Sequence, residues 1–394
     1  MSRVRTYLDH NATSPLRPEA REAACRALDN LGNPSSVHRE GRNTRRIVED
    51  AREQVAALAG ARPSEVVFTS GATEANNWVL RAGWDTILVS RVEHDSVLAP
   101  ARALAARAVA AEGAAGLAAK PRLIEIGAGR EGMADTAAIA EALLCGGTVA
   151  GRTLVALQSA NNETGVIQPI AEVAAFCASH GAHVHSDAVQ AAGRIELDFE
   201  NSGLMSMALS AHKIGGPMGA GALIIRDGTD MPALIAGGGQ ERSRRSGTEN
   251  IAGIAGFGAA AAAASREVAG IARLTALRDA LEAGIRAATP QAVILSEGAG
   301  VRRLPNTCCF ALPGVAAETL VIKLDLAGIA VSAGSACSSG KVGASHVLAA
   351  MGLDTDITRG AIRVSLGWNS SSRDIEAFLK TWHDLAGGQQ RAVA

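Results

Sequence analysis

The chain has 394 residues, 47% hydrophobic and 20% charged, a length that at ~100–200 residues per domain accommodates two or three domains with a substantial core. With 38 Lys+Arg against 39 Asp+Glu, it lacks the basic excess of a dedicated nucleic-acid binder, and its 3% aromatic content offers few platforms for stacking single strands. Lysines number five (Lys120, Lys213, Lys323, Lys341 and Lys380), so an amine nucleophile has few candidates and each can be judged on its neighbours.

The arginines near the start are followed by no apolar run, which argues against a signal peptide. Apolar stretches such as 101–119 are broken by Arg, Glu and Gly before the ~20 residues a membrane helix needs. Short β-branched runs then alternate with helical patterns: Glu65–Thr69, Thr86–Ser90, Leu123–Ile126, Thr153–Gln158, His183–Ser186, Met205–Ser210 and Gly221–Arg226. Such runs, apolar on both faces, predict one large α/β domain whose mostly parallel seven-stranded sheet is covered by helices. From Asn250 to about Ala288 the pattern turns helical, suggesting a long helix bridging two domains. After Pro290, strands Ala292–Leu295, Thr307–Leu312 and Ile362–Ser365 mix with helices Ala316–Leu326, Ser345–Met351 and Asp374–Leu385. That mixture predicts a smaller α+β domain, and the segment around Gly387–Arg391 reads as a disordered tail.

Two glycine motifs fail on inspection. Gly127–Gly132 matches GxGxxG after a short strand, yet no Asp or Glu lies between Glu141 and Glu163 to hold a ribose, so a plain glycine turn is the better reading. Gly334–Lys341 resembles a phosphate loop, but its glycine spacing is wrong and Val342 stands where a magnesium-binding Ser or Thr belongs. Six cysteines (Cys25, Cys145, Cys177, Cys308, Cys309, Cys337) form no CxxC pair and no zinc spacing, which points to a reduced, cytoplasmic protein.

Three other segments belong together. Thr69–Asn76 runs from a strand through hydroxyl-bearing residues into a helical stretch; alone it is an ordinary N-cap, but its open amides also suit a phosphate. Asp187 closes an apolar strand, where open α/β sheets bind ligands. About 25 residues on, Lys213 closes another, flanked by Ser210, His212 and a Gly-Gly-Pro loop. A phosphate site, a strand-end acid and a strand-end lysine together describe pyridoxal phosphate: aldehyde on the lysine, pyridinium nitrogen on the carboxylate.

The chain resembles the cysteine desulfurases of NifS/IscS type, within the class V aminotransferase group of fold-type I pyridoxal-phosphate enzymes. The likeness runs nearly end to end, through YLDHNATSP, GNPSSVHREGR, FTSGATEANN, VEHDSVL, ANNETGVIQPI, HSDAVQAAGRI, SAHKIGGPMGAG, RSGTENI, SAGSACSSG and IRVSLG. It implies a large cofactor domain over 16–258 and a small domain from 1–15 plus 259–394. A homodimer with active sites at the subunit interface is implied as well. It also implies removal of sulfur from L-cysteine to give L-alanine and a persulfide, passed to an acceptor such as an iron–sulfur scaffold protein.

By the same resemblance Lys213 is the cofactor-binding lysine, Asp187 the partner of the ring nitrogen and Gln190 that of the ring hydroxyl. His94 would stack on the ring and shuttle protons, although without the family it reads as a helix-cap histidine. Ala72, Thr73, Ser210 and His212 match the phosphate cradle, and Thr248 matches a threonine reaching the phosphate from the neighbouring subunit. Asn162 and Arg363 match the pair that grips the substrate carboxylate. His38 and Asn33 lie in a matching block without an assigned role.

Cys337 lies in a run of small residues between Gly334 and Gly340 that reads as a mobile exposed loop; without the family it reads as a small inert loop cysteine, and by the resemblance it is the nucleophile and a possible iron–sulfur ligand during transfer. The remaining cysteines read as structural, and no metal is expected within the cofactor site. His10 and Ser14 depart from the family's opening block and bear on substrate or partner preference. Related readings are a selenocysteine lyase or another class V pyridoxal-phosphate enzyme. A non-catalytic sulfur or metal carrier would leave Lys213 and Asp187 unexplained.

Overall fold

The computed structural model describes residues 5–115, 121–144, 151–334 and 345–393. In chain order, the short strand β1 (Thr6–Tyr7) precedes helices α1 (Pro18–Leu28) and α2 (Arg39–Ala59), and α2 leads into β2 (Val66–Thr69). Helices and strands then alternate as α3 (Ala72–Leu80), β3 (Thr86–Ser90), α4 (Asp95–Ala115), β4 (Arg122–Ile126), α5 (Thr136–Leu144), β5 (Thr153–Ala156), α6 (Ile170–Ser179) and β6 (Ala182–Asp187). Two further strands, β7 (Ser206–Ser210) and β8 (Gly221–Ile225), complete this half. All seven expected strands are present, with ends that agree to within two residues.

Strands β2 to β8 form one sheet in the order β2-β8-β7-β6-β5-β3-β4. Pairings from β7 through β4 are parallel, whereas β8 is antiparallel to both β7 and β2. Two reversals in succession turn β2 back into the direction of β7. The carboxyl ends of β2, β3, β5, β6 and β7 therefore share one edge of the sheet, where ligands bind in open α/β folds. All five residues of β3 and of β7 are buried, as a sheet with helices on both faces requires.

The expected bridging helix is instead two: α7 (Ile251–Val268) and α8 (Ala272–Ala288). They separate at Ala269–Ile271, where Gly270 interrupts the alanine run. Helix α7 lies on α1 and α2 in the first core, and α8 packs on the last helix of the chain. A Cβ on Gly258 would come within 2.6 Å of Ala51 Cα, so glycine is what lets α7 lie so close to α2.

The second half contains β9 (Val293–Ile294), β10 (Thr307–Ala311), α9 (Ala317–Leu326), β11 (Ile329–Ala330) and β12 (Ser332–Ala333). It ends with α10 (His346–Ala350), α11 (Thr355–Arg359), β13 (Ala361–Ser365) and α12 (Ser372–Val393). An antiparallel sheet β12-β13-β10-β9 backs a core in which Phe310 meets Trp382 edge-on at 5.1 Å. Strand β1 pairs with β11, and Leu8 is buried in this second core, so the opening residues belong to it. The expected disordered tail is a continuation of α12 through Val393: good helix formers after Gly387 and Gly388 offset the roughly 1 kcal/mol each glycine costs.

The glycine motif at 127–132 is a turn, closed by Gly132 N–H to Gly129 O and Gly129 N–H to Met133 O, with α5 beginning only at Thr136. His38 caps α2, its Nδ1 accepting from Gly41 N–H, which accounts for that block structurally.

One long-range contact anchors the segment that carries Thr248. Glu241, Arg242 and Ser243 take left-handed φ values of 46°, 57° and 62°, a conformation that costs a non-glycine residue about 1–2 kcal/mol. Glu241 is held there by a buried, two-pronged ion pair with Arg52 at 2.8 and 2.9 Å, and by Phe68 N–H at 2.9 Å. Glu241→Ala leaves the Arg52 guanidinium buried beside no carboxylate but Glu49. It is expected to cost about 3–5 kcal/mol, read as a lower urea midpoint at unchanged slope; a midpoint equal to wild type would refute the anchor.

Candidate active site

The chain turns from β2 into α3 through Ser70 and Gly71, leaving the first amides of α3 without helical partners. A Cβ on Gly221 would lie 2.6 Å from Gly71 Cα; this close backbone crossing sets the start of α3 beside the end of β7. Behind the first turn, Glu74 accepts from Ser70 N–H and pairs with Arg245 at 2.9 Å, tying the segment before Thr248 to α3.

At this edge a cavity of about 570 Å³ opens. Ala72, Thr73, Ser210 and His212 line it, as do Asp187, Lys213 and His94. Gln190, Asn162 and Arg363 complete the set of expected residues that it gathers. Thr248 is exposed and is not among the lining residues of its own chain. Cys337 and Cys145 lie outside the described residues.

Asp187, at the end of β6, is 8% exposed. Its oxygens accept from Asn76 Nδ2 at 2.7 Å and from Val189 N–H at 3.0 Å. Lys213 Nζ donates to the carbonyls of Asn11 at 2.6 Å and Ala12 at 2.9 Å. Gln190 Nε2 donates to the same Asn11 carbonyl, while its Oε1 accepts from Arg194. Arg363, in β13 and 2% exposed, reaches Asp9 Oδ1 at 2.7 Å and the Asn162 carbonyl at 3.1 Å. Held at both ends, its guanidinium presents a fixed plane to a carboxylate.

His94 precedes α4 and does cap it: Nδ1 accepts from Ser96 N–H at 3.0 Å. Burial holds its imidazole below the ordinary histidine range, with Asp187 opposing and the Lys213 charge reinforcing the shift. Burial likewise pushes His212 down to about 4, helped by Lys213 and Arg194. Beside them, burial pushes the Glu93 carboxyl up to about 8 and that of Glu163 up to about 7.

These residues fit pyridoxal phosphate on the structure's own terms. A Cβ at Gly71 would meet nothing nearer than Ser210 Oγ at 4.0 Å, so the glycine keeps open a space bordered by α3 amides and hydroxyls, suited to a phosphate. A buried carboxylate, Asp187, and the Lys213 amine line the same cavity, the two groups that a ring nitrogen and an aldehyde require. The other cysteines lack such company: burial raises Cys177 to about 11, Cys309 to about 12 and Cys308 well above the usual thiol range, and Cys25 is exposed on α1.

Sequence reasoning missed Asn11, Ala12 and Thr13, which line the cavity, together with Ser96 and Gln158. The YLDHNATSP block was the available signal for the first three. His10 and Ser14, the departures in that block, hydrogen-bond to each other at 3.0 Å and do not line the cavity. Asn76 was also missed, since nothing in a helical stretch announces a partner 111 residues away.

The class V aminotransferase profile matches residues 6–378. The IscS-like cysteine desulfurase of Mycobacterium tuberculosis is 40% identical over 401 residues, covering 98% of each chain. A cysteine desulfurase of Cereibacter sphaeroides is 41% identical, covering 95% of this chain and 94% of that protein. Among solved structures, a NifS-like protein from Rickettsia africae is 34% identical with a TM-score of 0.83, covering 97% of this chain and 99% of that one. A structure described as SspA in complex with cysteine is 27% identical with a TM-score of 0.73, covering 92% and 98%. With the profile spanning most of its length and near-complete relatives at this identity, the chain belongs to the class V aminotransferase family, among its NifS/IscS-type cysteine desulfurases.

Proposed function

We propose that this protein is a pyridoxal-phosphate-dependent cysteine desulfurase that converts L-cysteine to L-alanine and keeps the sulfur as a persulfide on Cys337. The observation that carries this reading is the convergence of Lys213, Asp187 and the α3 N-terminus on one cavity, in a chain whose relatives bear that activity in their names. The SspA structure, described as holding cysteine, supports the choice of substrate.

When bound, the cofactor supplies an electron sink that weakens bonds at the substrate α- and β-carbons. The chain supplies the rest. Amides of α3, with Thr73, Ser210 and neutral His212, would take the phosphate, and Asp187 would hold a proton on the ring nitrogen. Lys213 Nζ would hold the aldehyde and serve as the base that moves the substrate α-proton. Arg363 and Asn162 hold the substrate carboxylate. The Cys337 thiolate attacks the substrate sulfur: an S–S bond forms, the C–S bond breaks, its electron pair stays on the β-carbon, and that carbon is then protonated. His94 orders the ring and the protons nearby. A sulfur acceptor such as an iron–sulfur scaffold, a homodimer in which Thr248 serves the neighbouring cavity, and a cytoplasmic setting complete the proposal.

Purified protein given L-cysteine is expected to form alanine and persulfide in equal amounts in the first turnover. Cys337→Ala should lose sulfide release in the presence of thiol by at least about a hundredfold; release at the wild-type rate would sink the persulfide assignment. Lys213→Ala is expected to lose the borohydride-sensitive visible band of a lysine-bound cofactor, and a persisting band would place the attachment elsewhere. Arg363→Lys keeps the charge and loses the fork, so KM for L-cysteine should rise roughly 10–100-fold with a smaller change in kcat. An unchanged KM would remove Arg363 from the substrate site.

A further inference from the structure

Asn76, in α3, is fully buried and lies behind the cavity wall. Its amide nonetheless joins three polar side chains. Nδ2 donates to Asp187 Oδ2 at 2.7 Å and to Ser96 Oγ at 2.8 Å, and Oδ1 faces His185 Nε2 at 2.9 Å.

The hydrogens in this cluster follow from what each group can do. A carboxylate only accepts, so Nδ2 must face Asp187, and Oδ1 then needs a donor in His185 Nε2–H. His185 Nδ1 is left to accept from Ser206 Oγ–H at 2.9 Å. On the other branch, a backbone N–H only donates, so His94 Nδ1, which accepts from Ser96 N–H, carries no hydrogen. Ser96 Oγ, 2.9 Å from the same nitrogen, therefore donates to it and receives its own hydrogen bond from Asn76. The polarity runs without a break from His185 through Asn76 to Asp187, and from Asn76 through Ser96 to His94.

We propose that Asn76 is a positioning residue that joins the two cofactor-facing side chains into one polarised chain. It gives Asp187 one of its hydrogen-bond donors and holds His94 in the neutral form whose hydrogen, on Nε2, is offered to whatever occupies the cavity. This proposal rests on the reading of the cavity as the pyridoxal-phosphate site. It refines the part played by His94: in the resting enzyme this histidine is a donor through Nε2, and a proton taken up at Nδ1 displaces the hydrogen bonds from Ser96. The other charged or titratable groups around His94 are Asp187 on β6, Lys213 after β7, Asp95 on α4 and His346 on α10.

The test uses holoenzyme labelled with 15N-histidine, in which His94→Gln identifies the His94 signals among nine histidines. In wild type at pH ~7, near the ordinary histidine value, His94 should show a bare Nδ1 and a protonated Nε2. Ser96→Ala removes a donor that favours the neutral ring and should tighten proton binding at His94 by about tenfold. Asn76→Ala should move His94 in the same direction and also release pyridoxal phosphate at least about tenfold faster, because a charged acceptor loses a donor. A folded Asn76→Ala that melts earlier yet leaves the His94 signals and cofactor release at wild-type values would overturn the proposal. Should that variant not fold, Ser96→Ala decides: an unshifted His94 titration overturns the relay. Wild-type protein that takes up no pyridoxal phosphate would refute the cofactor reading instead, and His94 would still report its tautomer.

Discussion

A buried asparagine has a backbone amide, a carbonyl and a two-ended side chain to satisfy, and Asn11 does so with partners from both halves of the protein. Its N–H donates to Ser365 Oγ, its Nδ2 to Thr307 Oγ1 and the Asn162 carbonyl, and its Oδ1 accepts from Asn306. Its own carbonyl accepts from Lys213 and Gln190. Leaving any of these unmade inside the protein would cost about 1–3 kcal/mol. The opening segment is thereby pinned across the second core while its backbone oxygens hold the amine of the first. Without that strap Lys213 would lose the two carbonyls that place it, and the cavity would lose a wall.

Charge near the cavity is kept scarce by burial. His94 and His212 are held neutral, and Glu93, at about 8, carries its proton at neutral pH. Asp187, Lys213 and Arg363 remain among the charged groups that line the cavity. Arg363 shares its charge with Asp9 at 2.7 Å, which keeps the guanidinium from repelling Lys213 unopposed.

The large sheet was legible because its strands are buried on both faces and so are written as unbroken β-branched runs; Thr86–Ser90 emerges with the same ends in both readings. The two-residue strands β1, β11 and β12 carry too little pattern to be seen; β1 and β11 exist through pairing with each other across more than three hundred positions, and β12 through pairing with β13. The alanine-rich stretch after Asn250 looked continuous because alanine carries no signal about which core it faces. The turn at Ala269–Ile271 separates α7, which joins one core, from α8, which joins the other. At the cavity, Asp187 and Lys213 were visible as charges closing apolar strands. Asn76 and Ser96 were not, because a polar residue in a helix reads the same whether it faces water or a partner across the fold. Thr248, exposed and apart from the cavity lining, carries no such signal in its own chain.

The left-handed turn at Glu241–Ser243 has a bearing on time as well as shape. A turn that is uphill in isolation cannot form early, and the contacts that stabilise it, Arg52 and Phe68 N–H, come from segments 189 and 173 residues upstream. Closing so long a loop is entropically costly until the rest of the first half has already condensed. The Thr248 segment is thus set after α2 and β2 are in register, among the last parts of the chain to find its place. Any surface presented to another subunit there certifies that the sheet behind it has already been built.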